Sequence, residues 1–144
     1  MKIKIFALTH KKFEVPQDKM YQLQVGREEK EDLGYLCDNT GDNISAENCY
    51  YSELTGLYWI WKNVHTYKYV GTCHYRRYLL NEQEKIFTEA EYLELLKDYD
   101  LITTKRVVLN NSYHYGFATN HNIHALDMTG EVIKELYPEY YDTF

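Results

Sequence analysis

Tyr67-Lys68-Tyr69-Val70-Gly71-Thr72-Cys73-His74-Tyr75-Arg76-Arg77-Tyr78 carries the most informative pattern in the chain. Its first part, Tyr67 to Cys73, reads as a buried strand. That strand delivers His74, Tyr75, Arg76, Arg77 and Tyr78 at its far end. Two adjacent arginines beside a histidine put fixed positive charge at the carboxyl edge of a sheet, where open α/β folds bind their ligands. The guanidinium fork matches phosphate oxygens in bidentate fashion. A second account stays open: one arginine pairs with a structural carboxylate while the other is solvated.

Working outward from this strand, Lys2 to Thr9 alternates Lys and Ile before turning apolar, as an N-terminal strand entering a core does. It ends in Thr9-His10-Lys11-Lys12. Gln22-Leu23-Gln24-Val25-Gly26 is a second short strand closing on glycine. Arg27 to Gly34 reads as a charged loop, and Asp38 to Asn43 is dense in turn formers. Ser45 is placed as an N-cap, with Glu47 favourable to the helix dipole. Tyr50, Leu54, Leu57, Tyr58, Trp61 and Val64 then fall on one helical face, which predicts Tyr58 and Trp61 in the core. Glu53, Lys62 and Asn63 lie off that face and read as solvent contacts.

Downstream, Thr88-Glu89-Ala90-Glu91 matches a capping box, stapled by Phe87 and Tyr92. Its helix runs to about Lys97, and a strand is predicted from Asp100 to Thr104. Residues 105–117 show no clear period. Asn120 to Leu136 is helical in pattern, weakened at Gly130 and ended by Tyr137-Pro138. Strands alternating with helices predict an α/β fold with a mostly parallel sheet. No repeat or linker divides the chain, which predicts a single domain over residues 1–144.

The composition narrows the function classes. The chain has 16 basic and 22 acidic side chains in 144 residues, a net charge of −6. That balance argues against nucleic acid as a partner. No apolar run is long enough to cross a bilayer, and the start alternates instead of forming a signal peptide. A cytoplasmic protein is expected, at most peripheral at the inner face of the membrane. Cys37, Cys49 and Cys73 form no CxxC pair and are expected as reduced thiols. Tyrosine is abundant, 16 residues, and suits sugars, bases and half-wet interfaces or simply covers helices.

Other candidate sites are weaker. Gly41-Asp42-Asn43-Ile44-Ser45 precedes a helix start, a natural place for an anionic or hydroxyl-rich ligand, or is an ordinary turn and cap. Thr9-His10-Lys11 offers donors at the end of the first strand, or is a solvated turn. His114, His121 and His124 invite a metal reading, yet no HExxH or cysteine partner completes a site. Asp98-Tyr99-Asp100 is a formal DxD that stands before a predicted strand, not after one, and reads as a helix-to-strand junction.

Several blocks occur together in order: Lys4-Ile5-Phe6-Ala7-Leu8-Thr9-His10-Lys11, Gln24-Val25-Gly26, Gly41-Asp42-Asn43-Ile44-Ser45, residues 53–63 (Glu-Leu-Thr-Gly-Leu-Tyr-Trp-Ile-Trp-Lys-Asn) and residues 71–78. This set resembles a bacterial family of unknown function found in capsule, exopolysaccharide and lipopolysaccharide gene clusters, itself similar to GT-A-type glycosyltransferases. The resemblance implies a GT-A-like, Rossmann-related, mostly parallel sheet flanked by helices. It also implies a nucleotide-sugar donor and a glycan or lipid-linked glycan acceptor. Thr9, His10, Lys11, Gln24 and Gly26 would hold base and ribose, with Asp42, Asn43 and Ser45 closing over ribose or diphosphate.

His74, Arg76 and Arg77 would stand where a metal-binding DxD ordinarily sits and stabilise the leaving diphosphate. No cofactor and no metal ligand are expected, and a divalent ion is not favoured. His114 and Tyr115 are the acceptor-side candidates. Thr103-Thr104-Lys105-Arg106 departs from the family's proline-containing turn. Family members continue for roughly another hundred residues, judged by domain size, so a C-terminally truncated domain is expected. The alternative is a non-catalytic nucleotide- or glycan-binding module acting with a partner enzyme.

Overall fold

The computed structural model describes residues 2–16 and 20–144. These fall into two compact units, Met1–Thr104 and Lys105–Phe144. The first unit is built on a four-stranded sheet: β1 (Ile3–Thr9), β2 (Met20–Gln24), β3 (Leu36–Cys37) and β4 (Tyr69–His74). Strand order is β3-β2-β1-β4, and every neighbouring pair is parallel. The chain steps outward from β1 to β3. It then returns through α1 (Asn48–Tyr51) and α2 (Leu54–Asn63) to lay β4 on the other side of β1. The strand order therefore reverses at β1, and the carboxyl ends of β1 and β4 flank the crevice where such sheets take ligands. The mostly parallel α/β architecture matches the expectation.

β1 is apolar on both faces because both are covered. Phe6 and Leu8 pack with Leu23, Val25, Trp59 and Ile60 beneath α2. Ile3 and Ile5 face the opposite side, where Met20, Gly71, Cys73, Tyr92 and Leu96 line a cavity of about 410 Å³. α2 lies very close to the sheet. A Cβ at Gly56 would come within 2.7 Å of the Val25 side chain and 3.0 Å of Leu8.

The helical face predicted from hydrophobic period is rotated from the real one. The backbone breaks at Ser52, whose φ is 48°, so one expected helix becomes α1 and α2. The buried positions of α2 are Thr55, Gly56, Trp59 and Ile60. Tyr50, Leu54, Leu57 and Trp61 are exposed instead, Trp61 to 66%. Small and polar residues set the phase. The Thr55 hydroxyl donates to Asp38 Oδ2 at 2.7 Å, and Trp59 Nε1 donates to the Thr40 carbonyl at 2.9 Å. Ser45 is not an N-cap: Ile44 takes that place, and Ser45 opens a short 3-10 turn, Ser45–Glu47, with its side chain buried.

α3 (Glu89–Leu95) begins with the expected capping box between Thr88 and Glu91. The Phe87 and Tyr92 rings lie 5.2 Å apart. The strand expected from Asp100 to Thr104 is absent, because no described strand pairs with that segment. β2 begins and ends two residues earlier than predicted, and Val25 N–H continues its ladder to the Thr9 carbonyl at 2.9 Å.

The second unit holds α4 (Tyr113–Asn120), α5 (Ile123–Leu136) and a 3-10 turn, Pro138–Thr143. The single predicted helix over 120–136 starts late, because Asn122 caps α5 by accepting from His124 N–H at 3.1 Å. Gly130 lets α5 meet the rings of Tyr141 and Phe144. No helix among the described residues is long and apolar enough to cross a membrane.

Candidate functional site

At the crevice, β1 ends in a turn that Thr9 closes on itself. Its buried hydroxyl donates to the Lys11 carbonyl at 2.6 Å and accepts from Lys11 N–H at 2.9 Å. His10 is thereby left exposed at the strand end, with its ring edge-on to Tyr75 at 5.6 Å. Tyr75 extends β4, since its N–H donates to the Leu8 carbonyl at 3.1 Å. Phe13 lies 5.7 Å from the Tyr75 ring. Tyr35 holds Phe13 by donating its hydroxyl to the Phe13 carbonyl at 3.0 Å. Phe13, Tyr35 and Tyr75 thus form an aromatic wall beside the cationic end of β1.

Across the crevice, residues 74–77 make a tight turn, with Arg77 N–H donating to the His74 carbonyl at 2.9 Å. Arg76 N–H donates to His74 Nδ1 at 3.1 Å, which places the ring's proton on Nε2. Nε2 faces Glu53 Oε1 at 3.4 Å. Both guanidinium groups are exposed, and among the described residues neither pairs with a carboxylate. Arg76 stacks over Tyr75, its Cζ 5.1 Å from the ring centre. The alternative in which one arginine serves a structural ion pair is not realised among these residues.

Lys30 adds a further cation, held by Asn48 Oδ1 at 2.8 Å. The effect is visible at His10. Partial desolvation first, then the charges of Lys11, Lys30, His74 and Arg76, push its pKa below the usual imidazole value. A chain of net charge −6 therefore gathers positive charge at its switch point.

Several expected donor-binding side chains are occupied within the fold. Gln24 is buried: its Nε2 donates to the Glu31 carbonyl at 2.7 Å, and its Oε1 accepts from Leu33 N–H at 3.0 Å, clamping the loop after β2. Gly26 is required where it stands, with φ of 64° and Asn48 within 2.4 Å of any Cβ. Ser45 Oγ donates to Asp38 Oδ1 at 2.6 Å. Asn43 makes a local turn, its Oδ1 accepting from Ser45 N–H at 3.1 Å.

Asp42 accepts from the Tyr58 hydroxyl at 3.1 Å and lies 3.7 Å from Lys62 Nζ. Asn63, read as a solvent contact, donates to the Asp42 carbonyl at 2.8 Å. Asp42 thus sits at the carboxyl end of α2, whereas Glu53 meets His74 at its amino end. The ten residues of α2 separate the two by roughly 15 Å along the axis. The structure brings together Thr9, His10, Lys11, His74 and Arg76, and leaves Asp42 and Asn43 away from them. In the second unit, His114 lines a groove with Asp127 and Glu131, and Tyr115 is exposed.

Asp38 is the residue that sequence reading missed. Fully buried, it accepts from Gly26 N–H (2.8 Å), Arg27 N–H (3.1 Å), Ser45 Oγ (2.6 Å) and Thr55 Oγ1 (2.7 Å). One carboxylate thereby ties the end of β2, the 3-10 turn and α2 together. Its only sequence signal was membership of a turn-rich run. The three cysteines are free thiols, and burial pushes the Cys73 thiol up to about 11.

A divalent ion of the kind many GT-A sites use needs converging hard oxygen ligands. Among the described residues no three ligating side chains converge. Asp38 is saturated by donors, Asp42 is held by Tyr58 and Lys62, and Glu53 faces His74.

The mostly parallel α/β sheet with flanking helices is similar to the fold of a glycosyltransferase. A solved structure described as a WbbM bifunctional glycosyltransferase in its apo form matches it at a TM-score of 0.77 and 27% identity, over 97% of this chain and 30% of that one. Residues 4–144 match the family described as a domain of unknown function, DUF4422, and the chain belongs to that family. It spans 30% of the length of the bifunctional relative. No curated protein matches it.

Proposed function

We propose that this chain is the donor-binding portion of a sugar-nucleotide-dependent glycosyltransferase serving surface polysaccharide or lipid-linked glycan assembly, on the cytoplasmic side of the membrane. The observation that carries the reading is the pair of guanidinium groups that meet no carboxylate among the described residues at the β1/β4 switch point, joined by Lys11 and Lys30. A diphosphate seated there would meet Arg76 and Arg77 from the β4 turn and Lys11 from the β1 turn. The same groups would stabilise the diphosphate as it leaves the sugar, an electrostatic role that a divalent ion fills elsewhere. The wall of Phe13, Tyr35 and Tyr75 offers apolar faces for a base or sugar. The similarity to the bifunctional glycosyltransferase supports the reaction class. His114 and Tyr115 remain the acceptor-side candidates.

A non-catalytic nucleotide- or glycan-binding module is the second reading. It is favoured by the commitment of Thr9, Gln24 and Ser45 to internal hydrogen bonds. Calorimetric titration with UDP and with uridine tests the diphosphate contact. Arg76→Ala and Arg77→Ala should each cost about 1.5–3 kcal/mol in UDP affinity, the worth of a charge-assisted contact, and leave uridine affinity unchanged. Equal losses for both ligands would make the pair structural. Hydrolysis of a UDP-sugar by the wild-type chain then separates enzyme from binding module.

A further inference from the structure

We infer that His10 is the proton-accepting member of the crevice, neutral while the crevice is empty and protonated once a diphosphate lies between Lys11, Lys30 and Arg76. This rests on the diphosphate reading above and adds to it how the site manages charge.

The geometry sets the requirement. His10 stands at the carboxyl end of β1, exposed, with the edge of Tyr75 5.6 Å away. The charges facing it come from three segments: Lys11 on its own turn, Lys30 on the loop after β2, and His74 with Arg76 on the turn after β4. None of these is an acid. Among the described residues, the acid engaged at the turn is Glu53, on the far nitrogen of His74, 3.4 Å from Nε2. A further positive charge on His10 is therefore disfavoured in the free chain, where partial desolvation first, and then the neighbouring cations, hold its pKa below the usual imidazole value. A diphosphate reverses the sign of that field. An opposite charge within about 4–6 Å raises the pKa of a cationic acid by about one unit or more. His10 then takes up a proton as the ligand arrives.

The coupling has a direction. Because binding raises the pKa of His10, protonation of His10 must strengthen binding by the same factor. Affinity for a diphosphate should rise as pH falls through the raised midpoint of the bound state and level off only below the lowered midpoint of the free chain, by up to about tenfold per unit of pKa shift. The effect separates this site from one made of lysine and arginine alone, whose charge is constant over that range.

The test is a proton NMR titration of the His10 ring Cε1–H, assigned by its loss in His10→Gln. It is run on the free chain, with inorganic pyrophosphate and with UDP. The expected result is a midpoint raised by about one unit or more in the presence of either probe. A rise with pyrophosphate alone would assign the effect to free diphosphate, and a rise with UDP would extend it to the nucleotide. In the free chain, Arg76→Gln should raise the midpoint by itself, because one of the opposing charges is gone. Ligand-induced shifts at Lys11 and Arg76 with an unmoved or lowered His10 midpoint would overturn this inference and leave the diphosphate reading standing. No shift at any of these residues with either probe would overturn both.

Discussion

Replacing Asp38 by alanine should destabilise the first unit more than any single crevice substitution. The carboxylate is fully buried and accepts from two backbone N–H groups and two hydroxyls. The hydroxyls have other options: Thr55 Oγ1 also reaches the Ser52 carbonyl at 3.1 Å, and Ser45 can rotate. The N–H groups of Gly26 and Arg27 have no such freedom, because the left-handed backbone at Gly26 fixes their direction. Leaving a buried donor unsatisfied costs about 1–3 kcal/mol. Two of them, plus partial loss at the hydroxyls, give about 3–5 kcal/mol by that same scale. With a urea m-value of about 2 kcal/mol/M, the midpoint should fall by about 1.5–2.5 M. Asp38→Asn should lose about half as much, since one oxygen is kept and an amide donor now faces a donor. Urea unfolding of the three chains followed by circular dichroism reads the difference. A midpoint within 0.3 M of wild type for Asp38→Ala, about 0.6 kcal/mol, would refute the hub.

Three further outcomes follow from burial. Trp59→Ala should cost about 3–5 kcal/mol, because Trp59 is 6% exposed and packed on Phe6. Trp61→Ala should shift stability by no more than about 0.5 kcal/mol, since its ring is 66% exposed, and the two melting curves decide between the helix phases. The Cys73 thiol, ordinarily near 9.0 and raised to about 11 by burial, keeps its proton in the folded chain while the unfolded chain loses it. Stability should therefore be intact below about pH 9 and decline as pH rises towards 11, and in urea titrations Cys73→Ala should remove the part of that decline between about pH 9 and 10, before Tyr92, raised from 10.0 to about 12, adds its own.

Much of the architecture was written in local patterns. The alternation of β1 and the capping box at Thr88 each rest on neighbours in sequence, and each was legible; the strand expected as buried from Tyr67 to Cys73 forms as β4, Tyr69–His74, but none of its residues is fully buried and Val70 is exposed. The phase of α2 was not. Hydrophobic period favoured Leu54, Leu57 and Trp61, but helix position is set by Gly56 against Leu8 and Val25 and by Thr55 on Asp38. Those contacts join residues far apart in the chain and involve small or polar side chains that a hydrophobicity pattern undervalues.

The site divides in the same way. Arginines at a strand end announce themselves, and the parallel register of β1 and β4, which ends with Leu8 opposite His74, brings the segments carrying His10 and Tyr75 side by side. Asp42, Asn43 and Ser45 looked equally available as ligand groups. Whether a polar side chain is open or already bonded depends on partners such as Asn63 and Asp38, which only the folded chain reveals. Lys30 and Tyr35, too, reach the crevice through a loop whose path hangs on the buried amide of Gln24.

On the proposed function, the diphosphate of a nucleotide sits at the carboxyl ends of β1 and β4. A crystal structure of the chain with UDP tests it most directly. The two phosphates should lie within hydrogen-bond distance of the Arg76 or Arg77 guanidinium and of Lys11, with His10 beside them. UDP bound instead behind the sheet, in the cavity lined by Ile3, Ile5 and Tyr92, or bound with both guanidinium groups turned to solvent, would contradict it.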